Sequence, residues 1–131
     1  TPEVERGVSI VSAISAVREA LVRRQREVAE SARIVMVERD IGTVVLTDAE
    51  LKVFLTADVE ERATRRHREL RDLGDDIGYA EVLSSLNKRD EMDRDRAASP
   101  LRPAADARMV NTDGLTVDEV ANCVIKLAER A

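Results

Sequence analysis

Aromatic side chains are almost missing from this sequence: Phe54 and Tyr79 are the two it has, 2% of 131 residues. Stacking of bases on aromatic rings is then no basis for holding a nucleic acid. The core has to be built from Val, Leu, Ile and Ala. A single cysteine, Cys123, rules out an intrachain disulfide and suits a reducing cytoplasm. His67 is the sole histidine, and one histidine with one distant cysteine makes no metal site. No Ser-His-Asp or Cys-His pattern points to nucleophilic catalysis. No apolar run approaches the roughly 20 residues that span a bilayer. The opening Thr1-Pro2-Glu3-Val4-Glu5 has neither the basic nor the apolar region of a signal peptide. Without a starting methionine, the chain reads as a segment cut from something longer. A basic excess is lacking too: the net charge is −5, which speaks against a generic DNA or RNA binder.

Charge of both signs is what the chain does have, at 36% of residues beside 44% hydrophobic. Only Lys52, Lys88 and Lys126 among the 21 basic residues are lysines. Arginine offers a planar fork that grips phosphate through two hydrogen bonds and stays charged; an arginine-rich composition can equally be a habit of the genome.

Ile10, Ile14, Val17, Leu21 and Val28 recur at helical spacing over residues 8–28. Residues 32–37 end in four apolar residues, and Leu51-Lys52-Val53-Phe54-Leu55 holds a second short apolar run. Such runs between helical patterns read as buried strands of a parallel sheet. Asp58 and Glu61 form a possible capping box for a helix that Gly74 would end. Tyr79, Val82, Leu83 and Leu86 mark the next helix, which continues into the charged stretch Asn87–Arg96. Pro100 and Pro103 mark a loop. Arg108-Met109-Val110 reads as a third short strand. Thr116 and Glu119 form a second possible box, opening a helix with Val117, Val120, Ala121, Val124, Leu127 and Ala128 on one side. This alternation is α/β.

Three segments could carry chemistry. Arg39-Asp40-Ile41-Gly42-Thr43 follows the first expected strand, and ligands in open α/β sheets sit at the carboxyl ends of strands. There an arginine can hold a phosphate and a carboxylate can accept from an exocyclic amino group, as on cytosine; the same pair could simply open a turn at Gly42. Arg62, Arg65 and Arg66, followed by Arg68 and Arg71, lie on one helix, where i, i+3 and i+4 spacing gathers charge on a face; such faces are also commonly solvated and laced with weak ion pairs. Arg89, Asp93 and Arg96, four and three apart, suit a sugar phosphate or a plain polar helix end.

Together these segments resemble bacterial cytidylate kinases. The resemblance covers nearly the whole chain. It runs through Val17-Arg18-Glu19-Ala20-Leu21, Arg24-Gln25-Arg26 and Arg39-Asp40-Ile41-Gly42-Thr43-Val44-Val45. It continues through Asp48-Ala49, Leu51 to Ala57, Glu60-Glu61-Arg62-Ala63 and Arg65-Arg66. Its most specific part is Lys88-Arg89-Asp90, Asp93, Arg96-Ala97, Ser99-Pro100-Leu101 and Pro103-Ala104-Ala105-Asp106.

The resemblance implies transfer of the γ-phosphoryl group of ATP to CMP or dCMP, with Mg2+ held by the substrate phosphates. Ser9, Arg18 and Asp40 match the cytosine pocket. Arg39 and Arg96 match groups on the acceptor phosphate, and Arg89 and Asp93 groups near the ribose. Arg39, Arg89 and Arg96 are the arginines expected to serve catalysis. Arg62, Arg65 and Arg66 lead into an ATP-facing lid, roughly residues 62–80. Phosphoryl transfer asks for positioned cations more than for a nucleophilic side chain. Residues 1–131 would be the C-terminal part of one kinase domain, in a cytoplasmic enzyme that engages neither nucleic acid nor membrane.

The sequence departs from the family in two places. A Walker A loop needs G-x-x-x-x-G-K-[ST], yet no two of Gly7, Gly42, Gly74, Gly78 and Gly114 are five apart and none precedes a lysine. The fold expected is therefore a three-layer P-loop NTPase, like a nucleoside monophosphate kinase, with its first strand and P-loop missing. Its two long strands would then show apolar edges, open to the missing N-terminal segment or to self-association. Second, Glu38 stands where the family usually has glycine. Two other readings remain: a CMP-binding module without catalysis, and a helical protein-interaction domain.

Overall fold

The structure, a computed structural model, describes residue 11 and residues 14–31, 33–94 and 101–131, with the side chains of Asp93 and Arg94 left aside. It divides into two compact units, Thr1–Thr47 and Asp48–Ala131.

In the first unit, α1 spans Ser15–Ser31. Residues 33–38 follow without regular structure, and then a π-helical turn, Ile41–Val45. Here the sequence expectation of a buried strand over residues 32–37 is corrected. Residue 32 lies outside the described residues; the rest form no strand, and Val35 and Val37 are 92% and 88% exposed. The reason is not local propensity. A strand exists through the ladder it shares with a neighbour, and among the described residues the sheet has only the two strands of the second unit.

The second unit supplies that sheet. β1 (Val53–Thr56) runs parallel to β2 (Arg108–Asn111), with Val53 opposite Arg108 and Thr56 opposite Asn111. Parallel neighbours need a long crossover. Here it contains two packed helices, α2 (Val59–Asp72) and α3 (Tyr79–Arg94). Ala63 on α2 is fully buried and Val82 on α3 nearly so, so a small side chain permits the close approach. Gly74 ends α2 as the sequence suggested. Its φ of +88° places it in the left-handed region. Gly74 donates to the Arg71 carbonyl and Asp75 to the Leu70 carbonyl, the paired bonds of a Schellman stop. His67 meets Tyr79 edge to face across the two helices, ring centres 6.0 Å apart. Strands and helices around a small parallel sheet make this an α/β arrangement of the kind nucleotide kinases use. No described helix is long and apolar enough to cross a membrane.

The two expected capping boxes differ. Asp58 precedes α2 but its side chain makes no cap bond. The other groups of the box have partners elsewhere: the Asp58 N–H donates to the Asp113 carboxylate at 2.9 Å, and Glu61 is taken by Arg65. At α4 (Val117–Ala128) the box is complete. The Glu119 N–H donates to the Thr116 hydroxyl, and the Thr116 N–H donates to the Glu119 carboxylate. That N–H, with the Thr116 hydroxyl, draws the Glu119 carboxyl below its ordinary value of 4.5. Bonding to the Lys52 ammonium and to its own N–H likewise lowers Asp106, whose carboxylate lies 2.6 Å from Lys52.

A carboxyl depressed on folding stabilises the fold above its unfolded pKa and ceases to do so as pH falls through the folded one. Thermal stability and helicity are thus expected to be flat from neutral pH to about pH 5 and to fall below about pH 4.5. Thermal melts followed by circular dichroism check this, and Glu119→Gln should flatten part of the acid limb. An unchanged acid limb in that variant would show that the box carries none of it.

Candidate functional site

In the first unit the site is built on the π-helical turn. Its wide pitch comes from bonds five residues apart, Val45 N–H to Asp40 carbonyl (3.4 Å) and Leu46 N–H to Ile41 carbonyl (2.7 Å). Such turns are frequent at functional positions. Arg26 of α1 fastens this turn, donating to the carbonyls of Val44 and Val45 at 2.8 Å each. Val45, 2% exposed, anchors it.

At the head of the turn, the Asp40 carboxylate is 5% exposed and forms an ion pair with Arg18 of α1, 22 residues earlier. The structure therefore brings together two of the residues the sequence assigned to a base pocket. A buried carboxylate with a single charged partner is costly to maintain for stability alone. Paired with an arginine it offers an acceptor beside a fork of donors, the complement of a base edge with an amino group next to ring acceptors. Arg39 beside it is half-buried. Its N–H donates to the exposed Glu38 carboxylate at 3.3 Å, so the Glu38 side chain turns back on the neighbouring backbone. Ser9 lies outside the described residues.

In the second unit, polar groups gather where the parallel strands end. The Thr112 N–H and hydroxyl both donate to the Thr56 carbonyl, at 2.8 and 3.0 Å. Arg65 reaches from α2 to donate to the Thr112 hydroxyl at 3.2 Å and to the Thr112 carbonyl. Its Nε donates to Glu61 at 3.0 Å. The aliphatic stem of such an arginine can line apolar space while its head is bonded, and Arg65 borders a cavity of about 240 Å³ with Leu55, Thr112, Leu115, Val117 and Val120. This end of a parallel sheet is where α/β folds place ligands.

Arg62 joins three elements. Its fork meets the Asp90 carboxylate of α3 with both arms, at 3.0 and 2.6 Å, and its Nε donates to the Ala57 carbonyl just after β1. The bonds to Asp90 raise the Arg62 pKa further above its ordinary value. With side chains about one-third exposed on both sides, the pair contributes about 1 kcal/mol after solvent screening; what it adds is geometry. Arg66 pairs with Glu69 one turn on, at 2.8 Å. Arg89 is exposed on α3 and has no ion-pair partner among the described residues. Arg96 lies outside the described residues, as does the Asp93 side chain. Also among the described residues, no group of three His, Cys, Asp or Glu side chains is placed to hold a metal.

Sequence reading missed Asp90 and Thr112, the partners of Arg62 and Arg65. They lie 28 and 47 residues away, beyond the reach of i, i+4 reasoning. The one local hint was Asp90 directly following Lys88 and Arg89.

The family model described as cytidylate kinase matches residues 1–130. A cytidylate kinase of Desulforamulus reducens is 52% identical over 130 residues, covering 99% of this chain and 59% of that protein. That of Desulfitobacterium hafniense is 50% identical over 127 residues, 97% of this chain and 55% of its own length. That of Aeromonas hydrophila is 43% identical over 130 residues, 99% and 56% respectively. The chain thus spans between 55% and 59% of the length of these relatives. With the family model matching residues 1–130 of its 131, the chain belongs to the cytidylate kinase family.

Proposed function

We propose that this chain is the CMP-recognising part of a kinase that moves the γ-phosphoryl group of ATP to CMP or dCMP. The ion pair of Arg18 with the buried Asp40 carboxylate carries the reading. An acceptor-only carboxylate selects the exocyclic amino group of cytosine, and a uracil carbonyl at the same place would face it with repulsion. On this reading Arg18 and Asp40 take the base, together with Ser9. Arg39 and Arg96 take the acceptor phosphate, and Arg89 and Asp93 the ribose. Arg39, Arg89 and Arg96 would offset charge as the phosphoryl group passes. Arg62, Arg65 and Arg66 lead into the ATP-facing lid, roughly residues 62–80. Mg2+ would enter on the nucleotide phosphates. The architecture proposed is a three-layer nucleoside monophosphate kinase fold to which residues 1–131 contribute as one part, working in the cytoplasm. Exposed Val35 and Val37 offer an edge to a further segment or a second copy.

A second reading has its own observation: the 131 residues contain no Walker A loop. By themselves they would bind CMP without transferring phosphate. Docking of a partner protein on the α2 arginine face has less support, because Arg62, Arg65 and Arg66 are each held within the chain.

Calorimetric titration of CMP, with UMP as control, tests the reading. CMP should bind about 10- to 100-fold more tightly, and CDP should not form when ATP is added. Equal affinity for both, or none for either, would remove the base-reading role of Asp40.

A further inference from the structure

We propose that Arg62 is a positioning residue, acting through Asp90 to fix the rotation of α3 and so the direction in which Arg89 faces an acceptor nucleotide. The inference rests on the CMP reading above and deepens it. Its ground is how fully Arg62 is engaged. Both arms of the fork meet Asp90, at 3.0 and 2.6 Å, and the remaining Nε donates to the Ala57 carbonyl at 3.2 Å. Every nitrogen of the guanidinium therefore has a protein partner, from the end of β1 on one side to α3 on the other. Its neighbour in function is in the opposite state. Arg89, adjacent to Asp90 on α3, is exposed and without an ion-pair partner among the described residues. One arginine is fixed within the fold while another, next to its partner, is left for a ligand.

The form of the contact matters as much as its existence. A single hydrogen bond lets a helix swivel about the bonded atom. A planar fork on a planar carboxylate fixes the two groups in one plane. The buried apolar side chains of α2 and α3, Ala63 and Val82, do not provide this at Arg89. Val82 sits near the start of α3, and Asp90 lies eight residues on, about 12 Å along the helix. Apolar contact holds one end of α3 and tolerates rotation; the Arg62 clasp holds the other end, at Asp90. A pivot of a few degrees at Val82 would move the tip of a long Arg89 side chain by an ångström or more, which is enough to lose a charged hydrogen bond.

The test is titration of CMP and of ATP into the full 131-residue chain and its Arg62→Lys, Asp90→Asn and Val82→Ala variants, each also melted thermally. Arg62→Lys keeps the charge and removes the fork. Arg62→Lys and Asp90→Asn should each weaken CMP about tenfold. Val82→Ala leaves a cavity and should lower the melting temperature at least as much, yet change CMP affinity by no more than about twofold. That split separates positioning from general loss of stability. The inference is overturned if the two clasp variants bind CMP like the wild type, or if Val82→Ala loses as much affinity as they do. Weakened ATP binding with CMP unchanged would overturn it too, by returning Arg62 to direct phosphate contact. A wild-type chain that binds no CMP would instead sink the nucleotide reading, and the inference with it.

Discussion

Exchange of Asp40 for asparagine should reduce the preference for CMP over UMP by about 10- to 100-fold, bringing the two close to parity. Cytosine presents an amino group where uracil presents a carbonyl. A carboxylate can only accept, so it rewards the first and repels the second. The repulsion is strong at this position because Asp40 is 4% exposed and little water stands by to screen it. An asparagine side chain can turn its amide over, donating to the uracil carbonyl as readily as it accepts from the cytosine amine. The loss should therefore appear in the CMP to UMP ratio more than in affinity for either. Unaltered selectivity in Asp40→Asn would show that the carboxylate does not read the base.

Stability should separate the two members of the pair, with loss of the more exposed member, Arg18, the more damaging. Arg18→Ala leaves a carboxylate buried without its counter-charge, which costs about 3–5 kcal/mol. Asp40→Ala leaves Arg18, whose side chain is 27% exposed and within reach of water; the cost there is about 1–2 kcal/mol. Urea melts of both variants measure the difference. If Asp40→Ala were the more damaging, the buried member would have been misidentified.

What the sequence made legible is what neighbours along the chain decide. The Thr116–Glu119 box and the stop at Gly74 depend on residues three to five apart, and both stand in the structure. So does the Arg66–Glu69 pair. Asp58–Glu61 has the same spacing but fails, because Asp113 and Arg65 compete for the groups the box would use. Spacing states what can pair; the fold decides which pairs win. Residues 33–37 show the limit more sharply. Their apolar run has the composition of a buried strand, and composition cannot supply the neighbour that would make it one. Arg18 and Asp40 were assigned to one pocket because their surroundings resembled a family, and the structure brings them into contact. Arg62 was assigned by the same route to an ATP-facing lid, and the contact with Asp90 that suggests a different role spans two helices no local rule connects.

The unpaired apolar run leads to the second large effect. The chain should self-associate at tens of micromolar, and Val35→Lys with Val37→Lys should weaken that association by about 100-fold or more. Val35 and Val37 expose nearly all of their surface, alternating along a stretch without regular structure. Drawn out as a strand, this stretch would carry both on one side, and its backbone N–H and C=O groups would offer one half of a ladder. Two copies meeting through this stretch would bury four valines, a gross gain of about 6–12 kcal/mol at about 1.5–3 kcal/mol each. Loss of translational and rotational freedom opposes this by about 4–15 kcal/mol, which leaves weak association rather than a tight dimer. The net charge of −5 on each copy adds a little repulsion that salt would screen. Lysine at both positions removes the apolar gain and sets like charges against each other across the contact, the device by which natural edge strands avoid one another. Sedimentation velocity over a dilution series measures it directly: the wild type should move from larger species toward 14.5 kDa on dilution, while the double variant stays at that mass throughout. A wild type that remains monomeric at tens of micromolar would mean that this edge is covered from within the chain, and the pairing surface argued here would not exist.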